Sequence, residues 1–439
     1  MISNNIKRMT KIFEPSQLAE FAKIAPKPKL KKQKSNKQLK PIKNINADYF
    51  RKDTISNKGA DKKNCLKHYE YYPVDLNEDP NSKLNIKILT RIFDDYVEAK
   101  YSKAAVNDFI KSYALNSYQG MFKDYNEDKI NIIDPIERPE GSCVFPWPKM
   151  SYFAVFDGHA GESCSQFLKD NLHNFIFEMP EFPNDIKTAI TKGFEKAEKI
   201  FIKEYAERDL DKINNSGSCA LVLIATENKF YIGNCGDCRA LLSLELGEKI
   251  QPLTIDHKPN NPSEYDRIIK AGASVFLDDV TVAKYDVEKI KFIHSVNDFN
   301  EQCNYFETVY REYPSYLSVT RTIGDYKFKA RQYGSIQGSI ISTPEVFEFD
   351  YDKDNDFIVM GCDGIYDFLN NNQIIDSIIW IVKQLAKEKN YDIHVLTGIA
   401  CDMVIKYAMD LRSEDNLSCI IIGMNGLEKI INDLKQKGE

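Results

Sequence analysis

The sequence predicts an α+β protein in which one-faced helices cover antiparallel sheet. Three observations lead there. Short apolar runs of strand composition occur at Tyr152–Phe156, Ala220–Ala225, Phe230–Ile232, Ala240–Leu244, Phe357–Met360 and Cys419–Ile422. The three central runs are joined by short polar links such as Thr226-Glu227-Asn228, which reads as a meander of hairpins. Longer amphipathic stretches lie between the runs: Glu162–Phe177, Ile186–Tyr205, Gln373–Leu385 and Ile393–Leu411. In the second of these, Ile190, Phe194, Ala197, Phe201 and Tyr205 share one helical face.

Upstream of Ser112 the texture differs. Phe21 to Lys43 holds nine lysines and no acid, with prolines at 26, 28 and 41. Such a segment repels itself and buries little, so residues 1–80 read as a largely disordered basic arm, suited to docking on an acidic partner. From Leu84 to Ile110 apolar residues recur at helical spacing (Ile88, Ile92, Tyr96, then Val106, Phe109, Ile110), which predicts a helical extension over 81–111. The strand-and-helix body follows over 112–424, with a helical tail over 425–439.

Hydrophobic content of 43% against 28% charge suits a globular chain, and a net charge of −6 sets aside nucleic-acid binding as its main role. Met1 to Phe13 lacks a continuous apolar core, so no secretory signal is expected. No stretch reaches the roughly 18 apolar residues of a membrane span. Ten cysteines without such a signal are expected as free thiols. The expected location is intracellular: cytoplasmic, nuclear or cytoskeleton-associated.

The most informative feature is where the acids sit. Tyr152–Phe156 runs into Asp157-Gly158-His159, and Phe357–Met360 leads to Asp363, with Asp367 four further on. Phe230–Gly233 leads to Asp237, Glu414-Asp415-Asn416 precedes Leu417–Ile422, and Asn126-Glu127-Asp128 precedes Ile130. One acid at a strand end is ordinary turn chemistry. Five acid-bearing ends in one body predict convergence on a common edge, where like charges raise one another's pKa unless a cation neutralises them. Carboxylates with a single histidine favour Mg²⁺ or Mn²⁺ over Zn²⁺. Cys235-Gly-Asp-Cys238 has no second cysteine pair to make a zinc site and lacks the strand–helix setting of a redox dithiol.

These residues resemble the metal-dependent protein phosphatases, the type 2C serine/threonine family. The resemblance rests on motifs in order: Tyr113–Gly120 with Asn126-Glu-Asp128, Phe153–Gly161, Ser216–Ala220, Gly233–Arg239, and Leu253–Pro259 with Glu264, Arg267 and Ala271-Gly272. Leu317–Asp325, Cys362–Asp367 and Ser413–Asn416 complete the series. It implies a four-layer α-β-β-α fold, an antiparallel β-sandwich flanked by helices, and hydrolysis of phosphoprotein substrates at two Mg²⁺ or Mn²⁺ ions. It further implies that Asp157 bridges the ions, that Glu127 and the Gly158 carbonyl serve one, and that Asp363 and Asp415 serve the other with Asp128 in support. Asp237 and Asp367 match a third, weaker site, and His159 matches the residue that protonates the leaving alkoxide. Asp325 and Arg321 are read as structural.

Three departures stand out. The family's phosphate-binding arginine is replaced by Phe122, and the stretch from Gly120 to Glu127 is one residue longer, so Lys123 is the expected phosphate anchor. The family's serine after Asp237 is Cys238. The segment Phe276–Tyr316 is much longer than the family norm and rich in aromatics and acids, an expected recognition element beside the site. The missing arginine leaves a second reading open, a catalytically weakened fold serving as a binding or scaffold protein. A cysteine-based phosphatase is excluded, since no cysteine has an arginine six residues on. No Gly-rich or Walker motif supports a kinase.

Overall fold

The structure is a computed structural model that describes residues 96–142, 144–206, 215–282, 305–386 and 391–437. The basic arm over 1–80, the first part of the expected helix over 84–110, and the middle of the 276–316 segment lie outside the described residues. In chain order come β1 (Lys100–Tyr101), β2 (Ile110–Tyr118), β3 (Lys129–Ile133) and β4 (Ser151–His159). Two helices follow, α1 (Ser163–Phe177) and α2 (Ile186–Phe201). Next are β5 (Gly217–Ala225), β6 (Lys229–Cys235), β7 (Arg239–Leu244), β8 (Lys249–Pro252) and α3 (Pro262–Ala271). Then come β9 (Ser274–Val282), β10 (Tyr305–Tyr313), β11 (Ile323–Gly324) and a single turn, α4 (Tyr326–Lys329). The chain closes with β12 (Glu345–Asp350), β13 (Asn355–Gly361), the short α5 (Asp363–Tyr366), α6 (Asn371–Leu385), α7 (Ile393–Asp410), β14 (Leu417–Met424) and α8 (Asn425–Lys437).

Two antiparallel sheets, β1-β2-β14-β13-β7-β8 and β12-β6-β5-β4-β3, stack as a sandwich with helices outside, the expected α+β layering. The period of two explains why β4 and β5 read as unbroken apolar runs. Phe153, Val155, Leu221 and Leu223 point into the core shared with the other sheet, and Tyr152, Ala154, Phe156, Val222 and Ile224 point into a second core under α1 and α2. On the opposite side α7 packs on β2 and β14 and α6 packs on α7 and β8, burying Ile374, Ile378, Leu396 and Val404.

Two expected elements change. The meander holds only for β5 and β6, which pair directly. After β6 the chain crosses to the other sheet, where β7 pairs with β13 and β8, so the Gly233–Asp237 turn is an inter-sheet crossover. No helix forms over the described residues 96–110. The Asn107 side chain accepts from the N–H groups of Phe109 and Ile110, closing a turn. Upstream, Tyr96 Oη, Ala99 N and Asn116 Nδ2 all donate to Asp402 Oδ1 at 2.6–2.9 Å, which ties the extension to α7. The body therefore begins before Ser112. The 276–316 segment frames a two-stranded ribbon of β9 and β10, paired from Ser274↔Tyr313 to Val282↔Tyr305. The expected C-terminal tail is a helix whose Leu427, Ile430 and Ile431 are buried in the core.

The flap helix α3 has local signals at both ends: Asn261 caps Ser263 N, Pro262 opens the helix, and Gly272 closes it in the left-handed region. Its Glu264, 1% exposed, is the fold's main internal ion-pair hub. Arg321 Nη2 donates to Oε1 at 2.6 Å, while Arg267 Nη2 at 2.6 Å and Thr320 Oγ1 at 2.5 Å donate to Oε2. Arg267 and Arg321 also reach the carbonyls of Ser339 and Thr343, which staples the flap to the sheet edge. Burial alone would raise the Glu264 pKa, but these donors pull it from 4.5 to about 2. Its stabilisation is therefore present above pH 4.5 and lost as pH falls toward 2. Glu264→Gln should lower stability at pH 7 by about 3 kcal/mol in urea unfolding, and the loss should shrink as pH approaches 3. A variant as stable as the parent at pH 7 would remove the hub from that role.

Candidate metal centre and its surroundings

Register alone brings the acids to one edge. In one sheet Asp157 pairs with Cys219, Lys129 with Phe156, and Cys235 with Ala220, so the ends bearing Glu127-Asp128, Asp157 and Asp237 coincide. In the other, Gly361 pairs with both Arg239 and Cys419, and Leu417 with Tyr118, which brings Asp363, Asp415, Asp237 and the loop after β2 to the same rim. The two rims face each other. Carboxylate oxygens of Asp157, Asp237 and Asp363 lie within 4.8 Å of one another, the one such group among the described residues.

The electrostatics follow from that geometry. Burial first, then the charges of Asp363 and Asp128, hold the Asp157 carboxyl well above its ordinary pKa. Asp363 is raised in the same way, by burial and then by Asp237 and Asp415. Burial also raises Asp237, against the pull of Lys258, and pushes Asp128 up to about 6. Three hard oxygen donors held this close, and kept costly to ionise, are the donor set that Mg²⁺ or Mn²⁺ satisfies.

Around this cluster the other expected site residues take distinct places. Glu127 Oε1 accepts from Gly161 N at 2.6 Å, and its backbone N donates to Asn416 Oδ1 at 2.9 Å. Gly158 lies against the Glu127 backbone, where a Cβ would meet Glu127 O at 2.4 Å, so no other residue fits there. Asp415 faces Lys123, whose ammonium is 2.5 Å from Asp415 Oδ1 and 3.9 Å from Glu127 Oε2. Asp367 stands one turn beyond Asp363, outside the tight group, 2.9 Å from Lys258 Nζ. Sequence reasoning gave Asn416 no role of its own. Buried beside Asp415, it donates to the carbonyls of Gln119 and Tyr125 and accepts from Glu127 N, so one amide fixes the loop that carries Lys123.

Asp325, read from sequence as structural, has a second partner. Its Oδ2 lies 2.8 Å from His159 Nε2. Asp325 is 1% exposed and sits at φ 52°, held there by the one-turn α4 that begins after it. Gly217 makes room for the pair, since a Cβ there would lie 2.2 Å from Asp325 Oδ2 and 2.4 Å from His159 Nε2. Burial would lower the His159 pKa, but the Asp325 charge and hydrogen bond outweigh it and raise it. A signal was present in the sequence: Ser216-Gly217 and Gly324-Asp325 are both motif residues, but only strand pairing of β11 with β5 brings them together. Asp325→Asn should lower the His159 titration midpoint in an NMR titration. An unchanged midpoint would separate the two groups.

Comparisons with known proteins agree with this layout. A family model described as "Protein phosphatase 2C" matches residues 123–417. A probable protein phosphatase 2C of Caenorhabditis elegans is 31% identical over 246 residues, covering 55% of this chain and 57% of that protein. Protein phosphatase 1A of Bos taurus is 27% identical over 342 residues, 74% of each chain. Among solved structures, the serine-threonine phosphatase 2C of Toxoplasma gondii superposes with a TM-score of 0.51 at 17% identity, covering 75% of this chain and 98% of that one, a likeness of fold. Since the family model matches more than half of its residues and the two-sheet architecture agrees, the chain belongs to the protein phosphatase 2C family.

Proposed function

We propose that this chain is a protein serine/threonine phosphatase that hydrolyses phosphoserine and phosphothreonine at a centre holding two Mg²⁺ or Mn²⁺ ions. The observation that carries the reading is the close approach of Asp157, Asp237 and Asp363 within 4.8 Å. Such charge is costly to gather without a cation, and the donor set fits a hard divalent ion. Asp157 would be shared between the ions, with Glu127 and the Gly158 carbonyl on one side and Asp363, Asp415 and Asp128 on the other. Bound there, the ions supply a nucleophilic water and stabilise charge on the phosphoryl oxygens.

The chain's own residues supply the rest. His159, whose pKa Asp325 raises, is placed two residues from Asp157 and would give its proton to the leaving serine alkoxide, a contribution of roughly 10²–10⁴-fold where general acids are measured. Lys123 is the cation on the Asp415 side, and an ammonium has three donors to divide among carboxylates and a phosphoryl oxygen. Lysine lacks the fork of arginine, so phosphate anchoring would be weaker than a bidentate contact.

Phosphoserine-peptide turnover should require Mn²⁺ or Mg²⁺, stop in excess EDTA, and vanish in Asp157→Asn and Asp363→Asn. In the same assay His159→Ala should slow the peptide far more than para-nitrophenyl phosphate, whose leaving group needs no proton. Undiminished turnover in either Asp variant would sink this mechanism, whereas a parent protein without turnover would leave a binding or scaffold role, the reading that Phe122 in place of arginine favours.

Lys123→Ala should raise KM for a phosphopeptide severalfold with little change in kcat, while Lys123→Arg should keep or lower it. Equal KM in all three proteins would place the phosphate anchor elsewhere.

A further inference from the structure

The loop between β2 and β3 is pinned along its length. Asn416 Nδ2 donates to the Gln119 and Tyr125 carbonyls at 2.6 and 3.2 Å, Gln119 Nε2 donates to Lys123 O at 2.7 Å, and Asn126 Nδ2 donates to Ser117 Oγ at 2.9 Å. Gly120, at φ 83°, lies so close to Asp415 that a Cβ would meet its carbonyl oxygen at 2.3 Å. With the backbone fixed, the side chains divide. Met121 packs on the core, Lys123 reaches Asp415 and Glu127, and Phe122 and Tyr125 are left 52% and 50% exposed. The Tyr125 hydroxyl stands near enough to Glu127, Glu162 and Lys123 for each charge to act on it, so this ring borders the metal rim. One exposed aromatic is unremarkable on a protein surface. Two on a single pinned loop, one on each side of the cation beside the metal centre, are a different matter. Phe122 adjoins Lys123 and Tyr125 is two residues on, so their Cα atoms stand within about 7 Å of its own, the reach of one or two residues of extended peptide.

We infer that Phe122 and Tyr125 determine substrate specificity: they flank Lys123 with aromatic surface that selects phosphopeptides carrying a large apolar side chain immediately before or after the phosphoresidue. The inference rests on the phosphatase reading above and names the substrate class that it favours. Charge decides which neighbour fits. A basic side chain beside the phosphoresidue would meet the Lys123 ammonium, and an acidic one would meet Asp124 and Glu162, both exposed at the same place. An apolar side chain meets neither penalty and gains by covering two rings that are half open to water. The pinned backbone adds to that gain, because little loop freedom is left to lose on binding.

The test measures steady-state hydrolysis, in Mn²⁺, of one phosphoserine peptide with Leu, Ser, Arg or Asp placed on both sides of the phosphoserine. The proteins are wild type, Phe122→Ala, Tyr125→Ala, the double variant and Phe122→Leu, each checked for folding by thermal melting. Wild type should prefer leucine over serine by at least about fivefold in kcat/KM, mainly through KM, and should disfavour arginine and aspartate. The preference should fall below about twofold in the double variant and lie between in the single Ala variants, while Phe122→Leu should keep it. Where the double variant does not fold, the single variants decide. If the rings were merely structural, their loss would slow every peptide alike and leave the ratio unchanged, which would overturn the inference. A wild type that hydrolyses the peptides equally, or that prefers arginine or aspartate, would also overturn it while the phosphatase reading stands. A wild type that turns over none of them in Mn²⁺ would retire that reading and the specificity with it.

Discussion

The structure depends on a single electrostatic constraint: carboxylates from five strand ends are brought to one rim where they repel one another. Asp157, Asp237 and Asp363 all have raised pKa values, with burial as the leading cause and neighbouring acids next. A fold selected for stability alone would separate these charges or pair each with a base. Here the bases at the rim, Lys123 and Lys258, pair with Asp415, Glu127, Asp367 and Asp237. The centre is left for an ion.

What allows so costly a rim is the rigidity around it. Both sheets present strands buried on two faces, so neither rim can slip without turning apolar side chains outward. Small residues govern the closest approaches: Gly158 lets β4 lie on the Glu127 backbone, and Gly217 admits the His159–Asp325 pair. Amide and hydroxyl groups then fix what the strands leave free. Asn416 binds the Lys123 loop from both ends, and the Glu264 hub fixes the flap that begins just after Lys258.

The same organisation separates roles along the rim. The inner acids form the donor set, His159 stands at its edge with its ring oriented by a buried carboxylate, and the lysines set the charge on either side. The β9–β10 ribbon leaves directly from the flap helix, so the 276–316 segment is attached to the element stapled by the Glu264 hub.

The sequence by itself determined the α+β type, most strands and helices of the body and the identity of the acids, because period and turn chemistry are local properties. It could show that Asp157, Asp237, Asp363 and Asp415 end strands, since each follows or precedes an apolar run. Tertiary structure decided how those ends meet. Whether β6 continues a meander or crosses to the second sheet depends on pairing between residues more than a hundred positions apart, such as Gly361 with Arg239. The helix expected near Ile110 yielded to a strand because Asp402, nearly three hundred residues later, and pairing with β14 offered the backbone better partners than its local periodicity. Asp325 acquired its partner in the same way, since a charge acts by distance in space, and only the folded chain sets how far it stands from His159.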